Sequence, residues 1–362
     1  MQTTFRCRVA NPANLPYLII DPTDHDQWLA ERQKGIGSSE AGTIYGVNAM
    51  DTPLKLWRRK THLDPPTETT EVMQMGHDLE PAVAEWFARD TGAIIDPWSA
   101  HDWIARDKNH PWRQVSPDRM FWEKDTPEEL QVLENACMLE CKTTSHYIGI
   151  NSTTGEFEYP DYWYCQVQYQ MGVLGLKHCY IAYISIFDGR FTHGYFEVVF
   201  NEAFFNSLML QVDRFHNDYV LKNVAPPVNQ DIDDAKLRWL VSNVDKSVSC
   251  DENTVEAVKT YLANKATIKS IEAENEAIAL AIMEQMGDAE ALLSPDKQVI
   301  VTWKGGSKKK TFDEASFKND NPTMYEKYVK EVTMGRRFLV KTPKTKEELE
   351  LDRAKKKKGS VA

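Results

Sequence analysis

Apolar positions recur with a helical period in some stretches of this chain and with a period of two in others, and the switches between them outline a fold. DHDQWLAERQKGIGSSEAGTIYG reads as a helix, a glycine turn and a second helix starting near SSEA, where Ser38 or Ser39 would cap the exposed N–H groups. TPLKLWRRKTH is a short helix with Pro53 near its start. In VMQMGHDLEPAVAEWFARDTG, Val72, Met75, Leu79, Val83 and Phe87 carry helical spacing; Pro81 must kink this helix or begin a new segment, with Glu80 at the joint. From Trp112 the period falls to two, so RQVSPDRMFW and QVLENACMLECKTT are expected as paired strands joined by the polar EKDTPEE. PDYWYCQVQYQMGVLGL returns to helix, HCYIAYISIF and FTHGYFEVVF are strand-like, and NEAFFNSLMLQVDRFHNDYV is a further helix. The order predicts an α/β (α+β) fold, a mixed sheet flanked by helices.

NVAPPVNQDIDD is the best linker and divides a domain over 1–225 from an extension over 226–362. The extension opens with a long helix in which Ile268, Ile271, Ile278 and Ile282 fall at intervals of three and four, with Asn275 on the same seam. The stripe resembles a coiled coil, but it spans too few heptads to demand a partner chain, so an amphipathic helix paired within its own domain is expected. QVIVTWKGGSKKKTF reads as a hairpin with a Gly-Gly turn, YEKYVKE as a helix and RRFLVK as a strand. Lys308, Lys309 and Lys310 at the hairpin tip, with Trp303 nearby, would grip DNA or form an ordinary solvated tip; the Lys355 to Lys358 run reads as a solubilising tail.

Composition narrows the class. With 362 residues, 42% hydrophobic and 27% charged, the chain has ample apolar surface for a core. No apolar run approaches the roughly 20 residues of a membrane helix, and the N-terminus lacks a signal-peptide core, so an intracellular location is expected. The six cysteines form neither C-x-x-C pairs nor a disulfide framework. The net charge of −11 hides an uneven distribution: residues 296–362 hold 18 Lys and Arg against 10 Asp and Glu, so the acidic average decides nothing about a polyanionic partner.

Within MLECKTTS, alternation sends Glu140 and Lys142 to one face of a strand and Leu139 and Cys141 to the other, making the thiol core and turning the two charges to a cleft. Placing such charges near a core is costly unless they are paired or metal-bound. Asp118, beside Pro117 in SPDR, lies just after a strand, so a hairpin would bring it to Glu140. Mg²⁺ wants a few carboxylates, keeps several waters and takes phosphate oxygens for the rest; an adjacent lysine would orient or help deprotonate the attacking water and stabilise charge on phosphorus. These residue types fit phosphodiester hydrolysis, and SPD followed by ECK is the motif of the PD-(D/E)XK nuclease superfamily.

RQKGIGSSE, MGHDLEP, SPDR, LECKTT and QVQYQMG occur in the order and local wording of the phage lambda exonuclease and YqaJ-like viral recombinase family, over about residues 25–225. The resemblance implies a restriction-endonuclease-like core with Asp118, Glu140 and the Cys141 carbonyl holding metal, two Mg²⁺ ions with Mn²⁺ as a substitute. It implies that Lys142 acts on the water nucleophile, that Glu80 is an additional acidic site residue and that Gln166 orients the site, Gln168 aligning less well. Arg32 and Ser39 match the family's pocket for a terminal 5′-phosphate, and an Arg fork beside a helix N-terminus suits that anion. The implied activity is a 5′→3′ exonuclease that digests one strand of linear double-stranded DNA to leave 3′ overhangs for recombination by single-strand annealing. A homo-oligomer, commonly a trimeric ring, and a single-strand annealing protein are the implied partners, with no membrane. The competing readings are a PD-(D/E)XK endonuclease and a catalytically silent DNA-end-binding recombination factor.

Overall fold

The computed structural model describes residues 9–65, 69–151, 153, 155, 157–228, 231–240, 242, 246–306, 310–329 and 338–341. The chain divides into two compact units, Met1–Arg238 and Trp239–Ala362. Among the described residues no helix is long and apolar enough to cross a membrane.

The first unit begins with β1 (Tyr17–Ile20), α1 (His25–Gln33), β2 (Ile36–Gly37), a 3₁₀ turn Ser38–Glu40, α2 (Ala41–Tyr45), α3 (Pro53–Lys60) and α4 (Glu71–Thr91). Strands β3 (Ile94–Ile95), β4 (Ile104–Asp107), β5 (Arg113–Val115), β6 (Arg119–Trp122), β7 (Cys137–Thr144), β8 (Gly149–Ile150) and β9 (Phe157–Glu158) follow. Helix α5 (Asp161–Leu174), the hairpin β10 (His178–Phe187) and β11 (Arg190–Val199), α6 (Glu202–Arg214) and α7 (Ile232–Arg238) complete it.

Two sheets result. One has the order β1-β4-β5-β2, the other β11-β10-β7-β6-β3. In the five-stranded sheet β7 and β10 are parallel and the other neighbours antiparallel, and α5 is the crossover that a parallel pair requires. The β10–β11 hairpin closes on Asp188 and Gly189, both at positive φ, the two-residue turn whose twist matches that of the strands. Val83, Ala84 and Phe87 of α4 cover one face of this sheet against Phe121, Leu139, Ala182 and Ile184. The larger core holds Val167 and Met171 of α5 with Met138 and Ile181. The mixed α/β expectation is met, with helices on both faces.

Several local expectations change. RQVSPDRMFW is not one strand: it breaks at Ser116-Pro117-Asp118 into β5 of one sheet and β6 of the other, because Pro117 has no N–H for a ladder. Helix α4 runs unbroken through Pro81, and Val72 and Met75 lie exposed, so only its C-terminal half buries the stripe. Neither Ser38 nor Ser39 caps a helix; the Glu40 carboxylate accepts the Gly37 N–H at 2.8 Å instead. Helix α2 approaches α5 so closely at Gly42 that a Cβ there would lie 2.6 Å from Tyr162 Cβ. Gly42→Ala is therefore expected to cost about 1–3 kcal/mol of stability, read as a lower denaturation midpoint at unchanged slope.

In the second unit, α8 (Glu252–Met286) is the expected long helix, followed by β12 (Ala291–Leu293), β13 (Val299–Thr302), α9 (Glu314–Asp320) and α10 (Pro322–Tyr328). Strand β13 pairs backwards with β12 across the Ser294–Gln298 turn, and no described residue after Gly306 pairs with it; residues 307–309 of the expected Gly-Gly hairpin lie outside the described residues. Phe338–Lys341 form no strand, and Lys310 lies in no regular element. Lys308, Lys309, Arg336, Arg337 and the Lys355 to Lys358 run lie outside the described residues. Of the isoleucine stripe, Ile268, Ile271 and Ile278 are exposed and Ile282 is half-buried among the described residues.

Candidate active site

Strand β7 carries the centre of the site. Its alternation turns Leu139 and Cys141 toward α4 and Glu140 toward α5, so Glu140 is 1% exposed and still meets polar partners. Burial, then the carboxylates of Asp118 and Glu80, push the Cys141 thiol well above its usual range, consistent with an inert core position. Antiparallel pairing sets Arg119 opposite Leu139, which brings Asp118 beside the Glu140–Cys141 peptide; the Cys141 N–H donates to Asp118 Oδ2 at 2.7 Å.

Helix α5 supplies the other wall. Gln166 Nε2 donates to Glu140 Oε1 at 2.5 Å and Gln166 Oε1 accepts from Lys142 Nζ at 3.0 Å. Lys142 Nζ also donates to Glu140 Oε1 at 2.6 Å, and Gln170 Nε2 donates to Glu140 Oε2 at 2.8 Å. Gln168 lies elsewhere, tying α5 to the Val199 carbonyl and the Asn201 N–H. Burial would lower the pKa of Lys142, but Glu140 and Asp118 outweigh it and hold the ammonium charged. Burial and the negative charges of Glu140 and Glu80 push Asp118 well above the usual carboxylate range. Glu80, from α4, pairs with Arg119 Nη1 at 2.5 Å, and the same nitrogen donates to the Asp118 carbonyl at 2.5 Å. Among the described residues no three Asp, Glu, His or Cys side chains form a ready-made metal cage, since Glu80 is turned to Arg119 and Glu140 to Lys142.

A second group assembles around the first glycine turn. Arg32 lies over the Trp28 ring at 4.4 Å and its Nη2 donates to Ser39 Oγ at 3.1 Å. Buried Lys60 braces the turn, donating to the Gly35 carbonyl at 2.8 Å and pairing with Glu40 Oε1 at 2.9 Å. Trp28 Nε1 reaches Ser116 Oγ at 3.4 Å, joining this group to the loop that carries Asp118.

The structure thus brings together Asp118, Glu140, Lys142 and Gln166, places Glu80 beside them through Arg119, and pairs Arg32 with Ser39. Sequence reasoning gave no role to Gln170, Arg119 or Lys60. Gln170 was findable, since it follows Gln166 by one helical turn. Lys60 left no local signal, because its partners lie 20 and 25 residues away.

Residues 27–177 match the family of the YqaJ-like viral recombinase domain. The uncharacterized protein YqaJ of Bacillus subtilis (strain 168) is 29% identical over 320 residues, covering 87% of this chain and 94% of its own. A crystal structure of an alkaline exonuclease (LHK-Exo) from Laribacter hongkongensis matches with a TM-score of 0.41 at 17% identity, over 55% of this chain and 94% of that one. LHK-Exo in complex with dAMP matches with a TM-score of 0.40 at the same identity and coverage.

Proposed function

We propose, from the match of residues 27–177 to the YqaJ-like viral recombinase domain, that this chain is a divalent-metal-dependent deoxyribonuclease that digests one strand of linear duplex DNA from the 5′ end. The observation that carries this reading is the convergence of Asp118, Glu140, Lys142 and Gln166 through direct hydrogen bonds, beside a linked Arg32–Ser39 pair.

A metal fits the donor set. Burial, then the negative charges of Glu140 and Glu80, push the Asp118 carboxyl up, and a divalent cation would relieve that local excess of negative charge. Mg²⁺ needs only one or two carboxylates from a protein, so Asp118, Glu140 and the Cys141 carbonyl suffice without a three-acid cage. Bound there, Mg²⁺ or Mn²⁺, two ions in the full site, would supply positive charge to the scissile phosphate and acidify water.

The chain's own groups do the rest. Lys142, held as an ammonium, donates to the attacking water and to phosphoryl oxygens as negative charge builds, and does not serve as the base. Gln166 and Gln170 fix both Glu140 oxygens, and Arg119 holds Glu80 and the Asp118 backbone in register. The Arg32 fork, steadied over Trp28, and the Ser39 hydroxyl receive a terminal 5′-phosphate. The 3′ overhang left behind would serve single-strand annealing in the bacterial cytoplasm, with an annealing protein as partner and a ring-shaped homo-oligomer, a trimer, retaining the duplex.

The test is digestion of a linear duplex bearing 5′-phosphate or 5′-hydroxyl, with Mg²⁺ or EDTA. Mg²⁺-dependent release of mononucleotides from the 5′ end supports the proposal. Internal cuts favour the endonuclease, and tight end binding without cleavage favours the silent end-binding factor. Arg32→Ala is expected to slow digestion of phosphorylated ends about tenfold or more and to leave hydroxyl ends within about twofold. Equal losses on both ends would remove the phosphate pocket.

A further inference from the structure

Helix α8 leaves its middle bare. Every residue from 263 to 281 is exposed, a length of about 28 Å at 1.5 Å per residue. Helices in water draw most of their stability from burying an apolar face. Yet Ile268, Ile271 and Ile278 are 55%, 50% and 59% exposed along one seam. Tyr261, Ile268, Asn275 and Ile282 fall at heptad position a, and Asn264, Ile271 and Ile278 at position d.

We propose that α8 pairs antiparallel with α8 of a second copy of this chain, the two helices crossing between Ile268 and Ile271. Charge chooses both the occupant and the direction. In an antiparallel pair a faces d, so Ile268 against the partner's Ile271 sets Asn264 against the partner's Asn275, while Tyr261, whose ring meets Phe338 of its own chain edge-on at 6.0 Å, bounds the seam. Each contact occurs twice by symmetry. The amides then satisfy each other inside the seam, and the flanking e positions place Lys265 beside the partner's Glu272, again twice. A parallel pair offers nothing comparable. Its flanking g-to-e contacts would be Thr260 with Lys265, Thr267 with Glu272 and Glu274 with Ala279, and the acidic stretch Glu272, Glu274, Glu276 would run beside its own copy. Pairing of α8 holds or fails independently of the nuclease reading; being two-fold, it would join copies that belong to two different trimeric rings rather than close a ring itself.

Sedimentation velocity of the full chain over a range of concentrations tests the register. Wild type is expected to self-associate reversibly. Lys265→Glu and Glu272→Lys, each creating two like-charge pairs, are expected to weaken association about tenfold. The double variant restores both pairs with their signs exchanged and is expected to return to within about threefold of wild type. Residues 265 and 272 are two turns apart on one helix, so this rescue cannot arise within a single copy. In an oxidised mixture of Asn264→Cys and Asn275→Cys chains, a cross-link above the wild-type background assigns the association to α8. A chain monomeric at every concentration, association indifferent to both reversals, or a double variant no stronger than the singles would each overturn the proposal.

Discussion

Lys142→Ala is expected to lower the rate of duplex digestion by about 10³-fold while the chain stays folded. Among the described residues the ammonium is the only cation bonded to the Glu140 carboxylate, and its job in the proposed reaction is to meet charge that appears in the transition state. A substitution that removes such a donor costs kcat far more than KM. Stability responds separately. Glu140 is almost fully buried, and without Lys142 it keeps only the neutral amides of Gln166 and Gln170, so the metal-free variant is expected to lose about 3 kcal/mol. Saturating Mg²⁺ would replace the lost positive charge and narrow the stability deficit, but it would not return the water-orienting donor. Thermal melts and single-turnover digestion, each with EDTA and with Mg²⁺, separate the two effects. Full activity in the folded variant would remove Lys142 from the mechanism.

Asp118→Asn is expected to abolish digestion and also to raise the melting temperature of the metal-free chain, by about 2–4 °C. The asparagine oxygen can still accept the Cys141 N–H, while one member of a crowded acidic group loses its charge. The pH dependence follows in sign. Burial and neighbouring carboxylates raise the Asp118 pKa above its unfolded value, so its contribution is fully present below the ordinary carboxylate range and is lost as pH rises through the raised folded pKa. Metal-free wild type should therefore lose stability across that rise, Asp118→Asn should flatten the slope, and Mg²⁺ should stabilise wild type but not the variant. A variant melting below wild type in EDTA, or one still stabilised by Mg²⁺, would contradict this arrangement.

What was legible in the sequence is what local geometry dictates. A period of two fixes which face of β7 each side chain takes, so Glu140 and Lys142 separate from Leu139 and Cys141 without knowledge of the partners. A helical period places Gln166 and Gln170 on one face of α5, and the Asp-Gly pair closes the β10–β11 hairpin by its own backbone preference. The five short motifs, in order, were enough to suggest the metal site and the Arg32–Ser39 pair.

Tertiary structure decided everything that depends on which segments meet. Pro117 is visible in the sequence, but that it sends β5 and β6 to different sheets depends on strand partners chosen elsewhere. The same holds for β13, whose better partner precedes it, and for Pro81, which α4 tolerates while its second half packs on the sheet. Glu80 finds Arg119, Lys60 finds Glu40, and Gln170 completes Glu140 through side-chain bonds between residues 20 to 39 positions apart. Periodicity is set by the backbone of a single segment and so is written in the sequence. Ion pairs and buried hydrogen bonds between segments are set by which groups burial leaves with no solvent, and only the packed chain determines that.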